Sequence, residues 1–193
     1  MRMNILVLYG SVRTERQGIK AAKYMVKKLA ERGHQAELID PLEYKLPLLD
    51  WMYKEYETGK APEPMEKLAE KIEKAEGFII VSGEYNHSIP PALTNLMDHF
   101  LEEYYFKPSG IVCYSAGRFG GVRAAMQLRA FLGEMGMPTI SSLLPFGAVQ
   151  DAFDDEGTPL MDYIDPEASR FLDEFEWYVK ALGDARDRYG TPF

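Results

Sequence analysis

The chain has 193 residues, 46% of them apolar and 27% charged, with a formal net charge of −8. That is an ordinary globular balance, long enough for one domain, 1–193, with a substantial core. The net negative charge argues against nucleic acid as a partner. No apolar run reaches the length of a membrane span and no signal peptide opens the chain, so a cytoplasmic setting away from membranes is expected. The one cysteine, Cys113, lies in the apolar run IVCYS and reads as a small buried hydrophobe. His34, His87 and His99 are scattered without metal-ligand spacing, so no metal site is expected.

In chain order the elements alternate. NILVLY, residues 4–9, predicts a strand. From Gln17 to Arg32 the apolar positions Ile19, Ala22, Val26 and Leu29 fall at helical spacing, and Gly33 is a suitable stop. AELID, residues 36–40, predicts the second strand. Residues 41–63 are rich in Pro, Tyr and charge and read as a long loop. A helix follows at about 64–75, with Pro64 near its start. GFIIVS, residues 77–82, is the third strand. Pro90 and Pro91 open a helix with Leu93, Leu96, Met97, Phe100 and Leu101 on one face, running into Tyr104, Tyr105 and Phe106. GIVCYS, residues 110–115, is the fourth strand. Val122 to Met135 is helix, stopped by Gly136 and Pro138. TISSLLPF predicts a fifth strand. Residues 150–164 are acidic and irregular, and Asp165-Pro166 caps a last helix carrying Phe171, Leu172, Phe175, Val179 and Leu182.

Strand–helix alternation repeated in this way means an α/β fold with a parallel sheet covered on both faces. Such a doubly wound sheet binds its ligand beyond the carboxyl ends of its strands. Three turns lie there: GSVRTERQG, GEYNHSIPP and SAGRFGG.

In the first turn Gly10 permits a sharp bend, Ser11 offers a hydroxyl, and Arg13 and Arg16 offer charge-assisted bonds. Free amides at the start of the next helix suit a phosphate. Residues 1–40 hold eight Lys/Arg against four Asp/Glu, whereas residues 151–193 hold four against twelve. A P-loop is excluded because position 15 is Glu. A dinucleotide Rossmann turn is excluded because Val12 stands at the second glycine position. Asp40 closes the second strand as a loop cap. A polar loop that only caps a helix fits this turn equally well. The third turn has three glycines in five residues, which lets backbone approach a flat ligand, although a merely flexible turn has the same composition.

Together the turns resemble the NAD(P)H-dependent FMN reductase family of the flavodoxin-like superfamily. That family carries G-S-x-R after strand one, P-E-Y-N-x-S-x-P-x-x-L-K/T-N-x-x-D after strand three, and a glycine-rich turn after strand four. Here these are GSVR (10–13), GEYNHSIPPALTNLMD (83–98) and SAGRFGG (115–121). Gly83 departs from the usual proline, and Arg16 stands where many members have a serine.

The resemblance implies a flavodoxin-like five-stranded parallel sheet of order 2-1-3-4-5. It implies FMN as cofactor, NADPH or NADH as the partner nucleotide, and a small-molecule electron acceptor. Ser11, Arg13, Arg16, Gln17 and Gly18 would hold the phosphate, with Arg16 replacing the serine. Glu84, Tyr85 and Asn86 would pass along the flavin ring, Tyr85 giving an aromatic wall. Ser115, Ala116, Gly117, Gly120 and Gly121 would line its pyrimidine side. No protein nucleophile is required, because the hydride chemistry belongs to flavin N5. A structural reading of Tyr85 and Asn86 is an Asx-type turn before the helix. A flavodoxin-type electron carrier, or an FMN-binding sensor using the aromatic loop at Trp51, Tyr53 and Tyr56, are the competing functions. A homodimer or dimer of dimers is expected, with Tyr104 or Tyr105 buried between chains.

Overall fold

The computed structural model describes residues 2–193. Five strands, β1 (Asn4–Tyr9), β2 (Gln35–Ile39), β3 (Gly77–Ser82), β4 (Ser109–Tyr114) and β5 (Thr139–Phe146), are all parallel in the order β2-β1-β3-β4-β5. This is the expected flavodoxin-like sheet. β3 and β4 are buried along their whole length because both faces of the central sheet are covered.

Helix α1 (Ile19–Glu31) and the long C-terminal helix α7 (Ile164–Tyr189) cover one face. Their Met25, Leu29, Phe171, Leu172 and Phe175 pack on Ile5, Val7, Ile79 and Val112. Helices α3 (Glu63–Lys74), α4 (Pro91–Asp98) and α5 (Val122–Glu134) cover the other. Leu68, Ile72, Leu93, Met97 and Leu128 close on Leu6, Leu8, Phe78 and Ile80 there. Among the described residues, no helix is long and apolar enough to cross a membrane.

Three segments differ from the expectation. Residues 41–63 are not all loop. They hold a short helix, α2 (Pro41–Tyr44), whose start is capped by the Asp40 carboxylate accepting from Leu42 N at 3.0 Å. They also hold a 3-10 turn, Tyr53–Glu55, with Tyr53 packed on Phe100. Asn95 of α4 straps this region down, donating to Pro47 O (2.8 Å) and accepting from Leu49 N (2.9 Å).

α4 stops at Asp98, so Phe100 and Leu101 lie beyond it despite their helical spacing. Leu101 is neither helical nor extended, with φ −147° and ψ −65°, and a 3-10 turn, Glu102–Tyr104, follows. This break tucks Tyr104 inside its own chain, edge-on to Phe78 at 5.2 Å and fully buried. Tyr104 is therefore core, not a subunit contact. Near the C-terminus, α6 (Val149–Ala152) occupies part of the segment read as irregular. Asp165 does not cap α7 through its side chain; it accepts the Tyr24 hydroxyl at 2.7 Å.

Candidate functional site

A cleft of about 380 Å³ opens where the turns after β1, β3 and β4 meet. Its wall combines Ser11 and Arg13–Gly18, Gly83–Tyr85, and Tyr114–Ala116, with Val149 and Gln150 of α6. That volume is within the range of small-molecule sites, roughly 300–1,000 Å³.

Ser11 organises the first turn. It is 3% exposed, its hydroxyl accepts from Arg13 N at 3.3 Å, and it lies 3.2 Å from the Tyr85 hydroxyl. Arg13 is exposed at the cleft. Gln17 donates to Glu15 O at 3.0 Å, and Glu15 takes a left-handed backbone, φ 54°, to close the turn. No side chain caps the start of α1 at Gly18, so no side chain competes with a ligand for its first amides.

Arg16 lines the cleft and is already engaged within the chain. Its guanidinium forms a two-pronged ion pair with Asp40, donates to Ser11 O at 2.8 Å, and lies 5.1 Å over the Tyr9 ring. The bonded carboxylate raises its already high pKa. Arg16 braces the first turn against the end of β2.

After β3, Tyr85 and Ser88 exchange two backbone bonds of 3.0 and 2.9 Å. Asn86 (φ 52°) and His87 (φ 62°) form the tip, the pattern of a type I′ hairpin rather than an Asx turn. Asn86 is thus exposed at the tip and outside the cleft wall. Gln127 of α5 holds the hairpin, accepting from Ser88 Oγ (2.7 Å) and donating to His87 O (2.8 Å). The Glu84 side chain turns to α5, where Oε2 accepts from Arg123 N (3.0 Å) and Ala124 N (3.3 Å). It caps a helix N-terminus from outside the helix.

After β4, Ser115 donates to Gly117 O at 2.8 Å. Ser115 and Ala116 line the cleft, but Gly117, Gly120 and Gly121 do not. Gly120 and Gly121 are buried behind the turn, and a Cβ on Gly121 (φ 77°) would lie 2.6 Å from Tyr114 O. They shape the turn.

The site contains one aromatic that the motifs did not mark. Tyr114 ends β4, and its ring lies against Gly18 and Gly83. Its hydroxyl donates to Tyr9 at 3.3 Å. Burial drives the Tyr114 pKa far up, so the hydroxyl keeps its proton. Two glycines with no turn requirement of their own were the available signal. Val149 and Gln150 gave none, since their approach depends on the path of α6. Cys113 is buried behind the site, its thiol pushed up to about 12 by burial.

An open parallel sheet of this order, with a ligand-sized cleft at its switch point, defines a flavodoxin-like mononucleotide-binding protein. The sequence pattern of the NADPH-dependent FMN reductase family matches residues 3–151, and the chain belongs to that family. A quinone reductase of Pseudomonas putida is 28% identical over 183 residues, covering 92% of this chain and 95% of that protein. An NAD(P)H-dependent FMN reductase of Schizosaccharomyces pombe is 32% identical over 151 residues, 72% of each chain. Among solved structures, a flavoenzyme NAD(P)H:(acceptor) oxidoreductase from Paracoccus denitrificans superposes with a TM-score of 0.69 at 22% identity. That match covers 94% of this chain and 98% of the other.

Proposed function

We propose that this protein is an NAD(P)H-dependent FMN oxidoreductase that reduces a small acceptor such as a quinone, flavin, azo compound or metal oxyanion. The observation that carries the reading is the convergence of the three family motifs on one cleft at the ends of β1, β3 and β4. Bound FMN supplies the chemistry, taking hydride from the nicotinamide and passing electrons to the acceptor.

The chain's own groups bind and orient. Ser11, Arg13, Gln17 and the uncapped start of α1 at Gly18 hold the phosphate, a donor set suited to a monoester dianion. Arg16 and Asp40 keep that turn in place. Glu84 and Tyr85 on one turn and Ser115 and Ala116 on another line the cleft where the flavin ring would lie. Asn86, Gly117, Gly120 and Gly121 set the shape of the two turns that border the cleft.

The protein works in the cytoplasm as a homodimer or a dimer of dimers. With Tyr104 in the core, half-buried Tyr105, packed with Phe106 and the exposed Phe193, is the aromatic surface left for that contact.

Anaerobic addition of NADPH or NADH to the flavin-loaded protein tests the reading. Rapid bleaching of the flavin absorbance is expected. Slow or absent bleaching with both nucleotides would favour a carrier or sensor, and extraction of FAD in place of FMN would overturn the cofactor assignment.

A further inference from the structure

The turn after β4 carries a group that cofactor binding leaves unused. Phe119 is 50% exposed. The guanidinium carbons of Arg118 and Arg123 lie 4.8 and 4.5 Å from its ring centroid. The two arginines are not equivalent. Arg123 is paired with Glu84, Nη1 to Oε1 at 3.4 Å. Arg118 is exposed, and among the described residues it has no carboxylate partner.

An exposed arginine normally samples many rotamers and loses that freedom on binding. Here the aromatic ring holds the guanidinium beforehand. The backbone beneath is fixed as well. Ala148 N donates to Gly117 O and Val149 N to Ser115 O, each at 3.1 Å, and a Cβ on Gly147 would lie 2.7 Å from Arg118 O. A planar guanidinium on a fixed turn is suited to two-pronged phosphate recognition.

Ala116 lines the cleft, and Arg118 follows it by two residues, at most about 7 Å of chain. Arg13 lines the cleft on the first turn, and Arg118 on the third stands just beyond its lining. FMN has a single phosphate, and the first turn accounts for it. The pyridine nucleotide is the other anionic ligand, and NADPH differs from NADH only by a 2′-phosphate monoester.

We propose that Arg118, held on Phe119 and flanked by Arg123, is the subsite for the 2′-phosphate of NADPH and makes the protein selective for NADPH over NADH. The proposal rests on the reading of the cleft as a flavin and pyridine-nucleotide site.

Two measurements on the FMN-loaded protein test it. In flavin-reduction kinetics, the natural protein should favour NADPH over NADH in kcat/KM by roughly tenfold or more. Arg118→Ala should lower the NADPH value roughly tenfold to a hundredfold, the effect of one lost charge-assisted contact, and change the NADH value by less than about twofold. Calorimetry provides a readout without turnover: adenosine 2′,5′-bisphosphate should bind the natural protein more tightly than adenosine 5′-monophosphate, and Arg118→Ala should remove the difference. Equal losses for both nucleotides would place Arg118 on the shared pyrophosphate and overturn the proposal, as would a natural preference for NADH or equal binding of the two adenosine probes. Failure of both nucleotides to reduce bound FMN would sink the reductase reading instead, while the calorimetric comparison would still decide the role of Arg118.

Discussion

The ring of Tyr114 lies 3.1 Å from the point where a Cβ on Gly83 would sit. Gly18 is tighter still, with the ring 2.0 Å from its would-be Cβ. Tyr114 thus interlocks the turns after β1 and β3 beneath the cleft.

Gly18 has φ −65° and ψ −14°, a helical backbone that alanine adopts freely. Gly→Ala at such a position ordinarily stabilises by about 0.4–1 kcal/mol. Here Gly18→Ala should instead destabilise by about 1–3 kcal/mol, because the ring has to leave. In a Tyr114→Ala background the same substitution should be neutral or stabilising. Thermal melts of the four proteins form the cycle, and additive effects would show that ring and glycine are independent.

Arg13 and Arg16 should separate cleanly. Arg13→Ala should weaken FMN by about 1.5–3 kcal/mol, roughly tenfold to a hundredfold in Kd, and leave riboflavin binding unchanged. Arg16→Ala leaves Asp40 without its partner and should chiefly lower Tm. Titration of both variants with FMN and riboflavin checks this. An unchanged Kd in Arg13→Ala would move the phosphate elsewhere.

The division between these arginines shows where the sequence stops being legible. The five strands could be read from apolar runs of strand length, and their parallel arrangement from the alternation with helices, while their order came only from the family resemblance. The ion pair of Arg16 could not be read, because Asp40, 24 residues away, is brought beside it only by the pairing of β1 with β2. Phe100 and Leu101 continue the stripe of α4 by spacing, but the backbone leaves the helix after Asp98. Periodicity reports which residues are apolar, not where a helix yields to a better-packed turn. Glu84 stood inside the motif, yet its side chain serves α5, a contact spanning 39 residues.

Glu84→Ala should expose that contact. It removes the acceptor of Arg123 N and Ala124 N, and the side chain is 11% exposed. A loss of about 1–2 kcal/mol is expected, the size of a helix N-cap. Glu84→Gln, which keeps an acceptor oxygen, should lose less. Urea unfolding of both variants provides the comparison, and equal losses would mean that the carboxylate charge, not an acceptor oxygen or packing, is what Glu84 supplies.

The last prediction concerns acid. Glu176 on α7 accepts from Arg32 at the end of α1, with Nη2 at 3.0 Å, and lies 3.0 Å from His34 Nε2. Burial pushes its carboxyl pKa up, but the bonds from Arg32 and His34 outweigh burial and hold it below the usual carboxylate value. The unfolded chain, with a glutamate pKa of about 4.3, therefore takes up the proton first as pH falls. The stabilisation is complete above that value and is lost as pH drops through the lower folded value. Glu176→Gln cannot ionise, so it should be less stable than the natural protein at pH 7 and at pH 5. The gap should close as the pH is taken below the ordinary glutamate value. Urea unfolding along that series decides the matter: a gap that stays constant into acid would show that the contribution of Glu176 does not depend on its ionisation.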